Sequence, residues 1–365
     1  MKLDRPIRIF CFPTHCTPSV TPGVDYVRMV LPMKELQKDP RFQVTIFDNT
    51  QPKEVLAKYD WRQVAKDYDI LYINYLTLPW DFALIGMLFR KEGKKIVFDI
   101  DDLIWEIQED NSSYGVYAPG SDGRAVVTDI VNEVDYVTVT NGYLRNALCS
   151  YTKKTLDKVV VLPNYIDLNQ YSWRANPQPK QNIRISYFGS SSHFNDLAER
   201  NFIEGMAELM KEYPNLEFHT IGAMIGQFKK KFGMRYLNDF GHQDIYTWIK
   251  MFPEKLGQTD IFATPLVEST YCKCKSSIKY LEMSSTGLPG CWQGIHQYSE
   301  IVDGKNGLLC SSAKDWYKNL KKLIDSPELR REIGQNALKT IEDKWTIQGN
   351  IHRHADFFIK IMLDK

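Results

Sequence analysis

What most limits the folds open to this chain is an alternation that runs twice. Short β-branched and aromatic runs recur along the first half: "IRIFCF" (Ile7–Phe12), "VTIF" (Val44–Phe47), "ILYIN" (Ile70–Asn74), "KIVFDI" (Lys95–Ile100), "YVTVT" (Tyr136–Thr140) and "VVVL" (Val159–Leu162). They are apolar almost throughout, as strands covered on both faces of a parallel sheet must be. Helix-like segments such as "DYVRMVLPMKELQK" and "DFALIGMLFRKEG" lie between them, the second closing on Lys, Glu and Gly as helix C-termini do. The polar stretch "NQYSWRANPQPKQN" (Asn169–Asn182) interrupts the pattern, which restarts with "IRISYFG" (Ile183–Gly189), "LEFHTIG" (Leu216–Gly222) and "DIFATPL" (Asp260–Leu266). The expectation is an α/β protein of two doubly wound, Rossmann-like domains facing a central cleft, with ligands beyond the carboxyl ends of the strands. The boundaries follow: residues 1–168, a linker at 169–182, and 183–345. The amphipathic segment "NIHRHADFFIKIML" within 346–365 is expected to pack back on the first domain.

Length agrees with two cores, since 365 residues exceed what one core usually organises. Acidic and basic residues nearly cancel, 45 against 46, which argues against the broad basic field of an obligate nucleic-acid binder. Local patches remain at "KKTLDK" (Lys153–Lys158) and "FKKKFGMR" (Phe228–Arg235). Seven scattered cysteines read as reduced, cytoplasmic usage. The longest apolar run, "FALIGMLF" (Phe82–Phe89), falls far short of the ~20 residues that cross a bilayer. The start of the sequence lacks a signal peptide's apolar segment, so a soluble cytoplasmic protein is expected.

Chemistry concentrates in "CKCKSSIKYLE" (Cys272–Glu282). Zinc would need four ligands, and no nearby pair completes Cys272 and Cys274. A solvated helix start is the plain alternative. The third reading is an anion socket: Ser276 and Ser277 cap a helix at a strand's carboxyl end, and Lys275 adds a full charge to the helix's partial one. Glu282, two turns on, would accept hydrogen bonds from ribose hydroxyls. Gly189 with Ser190–Ser192 makes a turn whose backbone can approach a phosphate, and His193 follows it, although such a turn also suits an ordinary loop. Asp99, Asp101 and Asp102 crowd the end of a buried strand, where carboxylates raise one another's pKa, cap a helix or bind a cation.

"PLVESTYCKCKSSIKYLEMSSTGLPG…YSEIVDGKNGLL" resembles the donor-binding segment of the GT-B glycosyltransferases, in particular the retaining family 4. Glu282, Gly287, Pro289, Asp303, Gly304, Asn306, Gly307 and Leu308 fall on that pattern, and Lys275, Ser276 and Lys279 match a subgroup written "KS.iKy.E". The resemblance assigns Glu282 to the nucleotide ribose. It puts Cys274 where relatives carry a sugar-binding glutamate, a role Glu268 would have to take from further back. It implies that Gly189, Ser190, His193, Lys275, Ser276, Ser277, Lys279 and Glu282 hold the donor and that Asp101, Asp102, Lys275 and Glu282 are catalytic. His15, Tyr26 and Arg28 in and after the first loop, with Asn164 in "VLPNYID", would line the acceptor side of the cleft. The implied activity is transfer of a hexose or pentose from a nucleotide sugar, most simply a UDP-sugar, to an acceptor hydroxyl with retention of configuration. No metal or other cofactor is implied. The acceptor could be a glycan, a small molecule or a hydroxymethylated DNA base flipped into the cleft. The same architecture also hosts nucleotide-sugar epimerases, and Cys274 leaves room for a binding module without catalysis.

Overall fold

Each run of alternating segments folds into one sheet. The computed structural model describes residues 5–13, 23–47, 59–74, 79–170, 182–189, 193–222, 226–239, 244–256 and 258–364. In the first half β1 (Ile7–Phe12), β2 (Phe42–Ile46), β3 (Ile70–Asn74), β4 (Lys95–Asp99), β5 (Tyr136–Val139) and β6 (Val159–Val161) pair in parallel, in the order β2-β1-β3-β4-β5-β6. In the second, β7 (Ile183–Phe188), β8 (Leu216–Ile221), β9 (Tyr236–Asp239), β10 (Ile261–Thr264), β11 (Gly290–Gln293) and β12 (Leu308–Cys310) also pair in parallel, in the order β12-β11-β10-β7-β8-β9. The chain order reverses between β1 and β3 and between β7 and β10. Crossover connections leave in opposite directions there and open a crevice at the strands' carboxyl ends.

Helix amphipathicity closes the sheets. Phe202, Met206 and Leu209 of helix Arg200–Glu212 meet Trp316, Leu320 and Leu323 of helix Ala313–Asp325 in the second unit's core. The last helix, His352–Leu363, crosses back to the first sheet, where Phe357, Phe358 and Ile361 pack with Ile7, Ile9, Tyr72 and Val97. Tyr136 Oη donates to Asp364 at 2.6 Å and ties the helix's end to β5. Strand β9 has no counterpart in the sequence reading. It is a four-residue edge strand with only Tyr236 buried, so it shows no apolar run. Most of the expected linker, 171–181, lies outside the described residues.

The strand ends of the first sheet are level, with Asn74 beside Asp99 and Asp99 beside Thr138. That register gathers polar side chains under the crevice. The same crevice receives the corner that follows β10.

Candidate active site

Ser269 starts the first piece of that corner: its hydroxyl accepts the Cys272 N–H at 3.1 Å and opens helix Thr270–Cys274. The helix breaks at Lys275, whose backbone is extended (φ −66°, ψ 153°), and helix Ile278–Ser284 begins three residues later. Ser277 occupies its N-cap position, but the expected serine caps are not made. Ser277 Oγ donates to Glu300 Oε1 at 2.9 Å, and Ser276 Oγ accepts from Asn164 Nδ2 at 2.8 Å. A half-buried carboxylate is a stronger partner than a backbone amide, and Ser277's φ of −79° and ψ of 18° lie outside the extended backbone that capping uses.

Lys275 projects into a nest of carboxylates, its Nζ 4.7 Å from the centre of the Tyr271 ring. Burial works against its charge, yet Asp102 and Asp196, with Asp101, outweigh it and raise the pKa, so the ammonium persists. Lys279, one turn along, donates to Tyr187 Oη at 3.3 Å. Burial first, then repulsion from Lys275, pushes its pKa down to about 7, although Asp196 and Glu282 pull the other way. Asp196 is the hub: it accepts from His193 Nδ1 (2.7 Å), Val267 N (3.2 Å) and Cys272 Sγ (3.5 Å). Burial, with Lys279 and Lys275 close by, drives His193 down to about 3, so the ring is neutral at pH 7 and donates through Nδ1. Beneath them lies the wholly buried Tyr187. A Cβ on Gly189 would sit 2.6 Å from its hydroxyl, so only glycine lets the chain leave β7 over that ring.

The opposite wall comes from the first unit. Asp101 and Asp102 follow β4, and Asp102 Oδ2 accepts from Tyr271 Oη at 3.2 Å across the crevice. Burial and then Asp102 push the Asp101 carboxyl up to about 8, against the pull of Arg28 and Lys275. Glu282, on helix Ile278–Ser284, lies close enough to be felt by Lys279 and by Tyr26. Tyr26 is buried at the junction, donating to Gln170 Oε1 and meeting Tyr246 edge-on, ring centroids 5.6 Å apart. The geometry therefore brings together Gly189, His193, Lys275, Lys279, Glu282, Asp101, Asp102 and Tyr26. Ser190 and His15 lie outside the described residues.

Two further expectations need correction. Arg28 does not line the cleft: it is 3% exposed, paired with Asp99 through Nε (2.9 Å) and Nη2 (2.7 Å), and its Nη1 donates to Leu162 O and Asn164 Oδ1, both at 2.7 Å. Asp99 also takes Thr138 Oγ1 (2.6 Å) and Tyr72 Oη (3.2 Å), so the group is a satisfied internal network. Nor does Glu268 stand in for Cys274. It is exposed and paired with Lys273 at 3.1 Å, while Cys274 is fully buried and burial lifts its thiol to about 12. Among the described residues no group of three or more His, Cys, Asp and Glu could hold a metal ion.

Sequence reasoning passed over Asp196, Tyr271 and Asn141. Asp196 carried a signal, three residues after His193 on one helical turn. Tyr271 and Asn141 carried none, because their partners are more than a hundred residues away. Asn164, assigned to the acceptor side, spans the junction from Arg28 to Ser276.

The sequence matches no protein-family model and no curated protein. Solved structures do match in shape. HepE of Anabaena, in a complex with UDP and glucose, superposes with a TM-score of 0.66 at 14% identity over 96% of this chain and 99% of that one. Sucrose-phosphate synthase of Thermosynechococcus elongatus gives 0.64 at 12% identity, over 98% and 100% of the two chains. A glycosyltransferase of Rickettsia africae gives 0.64 at 12% identity over 100% of both. Two parallel six-stranded sheets whose carboxyl ends share one crevice, built over the full length of such neighbours, make this chain a protein of the GT-B glycosyltransferase fold.

Proposed function

We propose that this protein is a retaining glycosyltransferase that moves a sugar from a UDP-sugar to an acceptor hydroxyl. The observation that carries the reading is Lys275, set between Lys279 on its own unit, which in turn feels Glu282, and the carboxyls of Asp101 and Asp102 from the other. Lys275 and Lys279 would flank the diphosphate, with the bare backbone at Gly189 admitting it closely. Lys279 takes up a proton as the diphosphate arrives, because its pKa of about 7 rises beside an anion. Glu282 accepts from the ribose. Across the crevice, protonated Asp101 donates to the transferred sugar while Asp102 accepts. As the glycosidic bond to phosphate breaks, charge grows on the leaving oxygen. Lys275 is already placed to stabilise it, which is the form of catalysis that dominates many enzymes. The departing diphosphate then accepts the acceptor hydroxyl's proton on the same face, so configuration is kept. The two lysines supply the neutralisation, and the reaction needs no metal.

The likeness to HepE, whose crystals hold UDP with glucose and UDP-glucose, supports the donor class. For the acceptor, a glycan or small-molecule hydroxyl fits better than DNA. Lys154 turns inward to Val134 O, Lys158 bonds Tyr136 Oη at 3.0 Å, and Arg235 is spent on Met210 O and Tyr213 O, which thins both basic patches. The test is product analysis by mass spectrometry with a panel of nucleotide sugars. Each donor is offered alone, with oligosaccharides and small alcohols, and with DNA containing 5-hydroxymethylcytosine. A glycosylated oligosaccharide or alcohol is expected. An epimerised donor would make the protein an epimerase, product on DNA would move the acceptor, and binding without turnover would leave a binding module. No binding of any nucleotide sugar overturns the reading.

A further inference from the structure

Two successive backbone carbonyls of the corner that carries Lys275 are gripped from the other unit by one amide. Asn141 is the N-cap of helix Gly142–Tyr151, its Oδ1 accepting the Leu144 N–H at 2.9 Å. With the oxygen so fixed, the nitrogen faces away from the helix and donates to Cys274 O at 2.8 Å and to Lys275 O at 3.0 Å. The orientation is not interchangeable, since carbonyl oxygens can only accept. Those carbonyls close helix Thr270–Cys274, where C=O groups have no partner within the helix. The next residue is held as well. Ser276 O accepts from Gln297 Nε2 at 2.6 Å, and Ser276 Oγ accepts from Asn164 Nδ2, whose own Oδ1 is pinned by Arg28. Three consecutive residues of the second unit, Cys274, Lys275 and Ser276, are thus fastened by two asparagines of the first.

We infer that Asn141 is a positioning residue: its amide locks the Cys274–Lys275 backbone when the two units close, so that closure and placement of the Lys275 ammonium are one event. The inference rests on the reading of Lys275 as the diphosphate's partner. Only asparagine can do both jobs. Aspartate caps the helix equally well but sets a carboxylate against two carbonyls, and serine caps it without a second donor. With Asn141 removed from the lock, the open form gains population and Lys275 wanders by more than the ångström that costs about 100-fold in rate.

The experiment compares wild type with Asn141→Asp and Asn141→Ser by thermal melt, small-angle scattering with and without UDP, UDP affinity, and transfer kinetics. Both variants should melt near wild type, because the cap survives. Asn141→Asp should scatter as a more open molecule and bind UDP within about threefold of wild type, yet lose ~10–100-fold in kcat, with Asn141→Ser between the two. Unchanged scattering and unchanged kcat in Asn141→Asp would overturn the lock. So would an equal loss of melting temperature and activity in both variants, which marks a merely structural cap. Failure of wild type itself to bind UDP or any nucleotide sugar strikes the functional reading instead, and the scattering comparison still decides the lock.

Discussion

Asp99 and Asp101 stand two residues apart at the end of one strand, and their surroundings could hardly differ more. Asp99 is sealed beneath the crevice, with a guanidinium and two hydroxyls filling its oxygens. Asp101 stands beside Asp102 at the crevice wall, and its carboxyl is pushed up to about 8 because charging it there is costly. The first cluster is complete without a ligand. The second, together with Lys275 and Lys279, holds charge that the protein only partly compensates. Burial alone does not separate structure from chemistry; what separates them is whether the donors and acceptors are already spent.

Four measurements test this contrast. The largest effect should come from the sealed cluster. Asp99→Ala leaves Arg28 charged and unpaired in the interior, and a loss of about 3–5 kcal/mol in stability is expected by urea titration, enough to unfold many domains. A variant that melted like wild type would mean the pair is not the keystone of the first unit's strand ends. Next, Lys275→Ala and Glu282→Ala should keep the fold by circular dichroism while each loses at least ~100-fold in turnover. Near-normal rates in either would undo the assignment of the open cluster to chemistry.

The third measurement is the pH dependence of UDP affinity. Lys279 titrates near 7 in the free protein and binds diphosphate best when charged, so above that pH binding must take up a proton. Affinity should fall as pH rises from 7 to 9, by at most tenfold per unit, and Lys279→Met should flatten the slope. The last measurement is Asp101→Asn. The folded carboxyl keeps its proton up to about pH 8 while the unfolded one releases it near 4, so Asp101 lowers stability progressively across that window. The asparagine variant should therefore gain melting temperature over wild type progressively as pH rises from 4 to 8. A constant difference across that range would show that Asp101 is not perturbed.

The fold was plain in the sequence for a simple reason. A strand buried on both faces must be apolar at nearly every position, and β1, β3 and β7 say so in their own letters. Strand β9 escaped because its exposed edge relaxes that demand. For the site, residue type and local spacing pointed to Lys275, Glu282, Asp101 and Asp102, and the family resemblance added Lys279; the structure sets Lys279 and Glu282 near Lys275, and Lys275 near Asp101 and Asp102. They could not tell Arg28 from a cleft residue, since an arginine reads the same whether its partner is a ligand or a buried Asp99 seventy-one positions away.

The two parallel sheets, their crevice and the chemical classes of the groups at its rim were written in the amino-acid order, because backbone periodicity and side-chain type are local properties. Which of those groups are spent was settled by packing. That choice belongs to pairs such as Arg28 with Asp99, Tyr271 with Asp102 and Asn141 with Lys275, which meet only when distant segments pack. Hydrogen-bond satisfaction and desolvation are set by that packing, and no local stretch of chain encodes them.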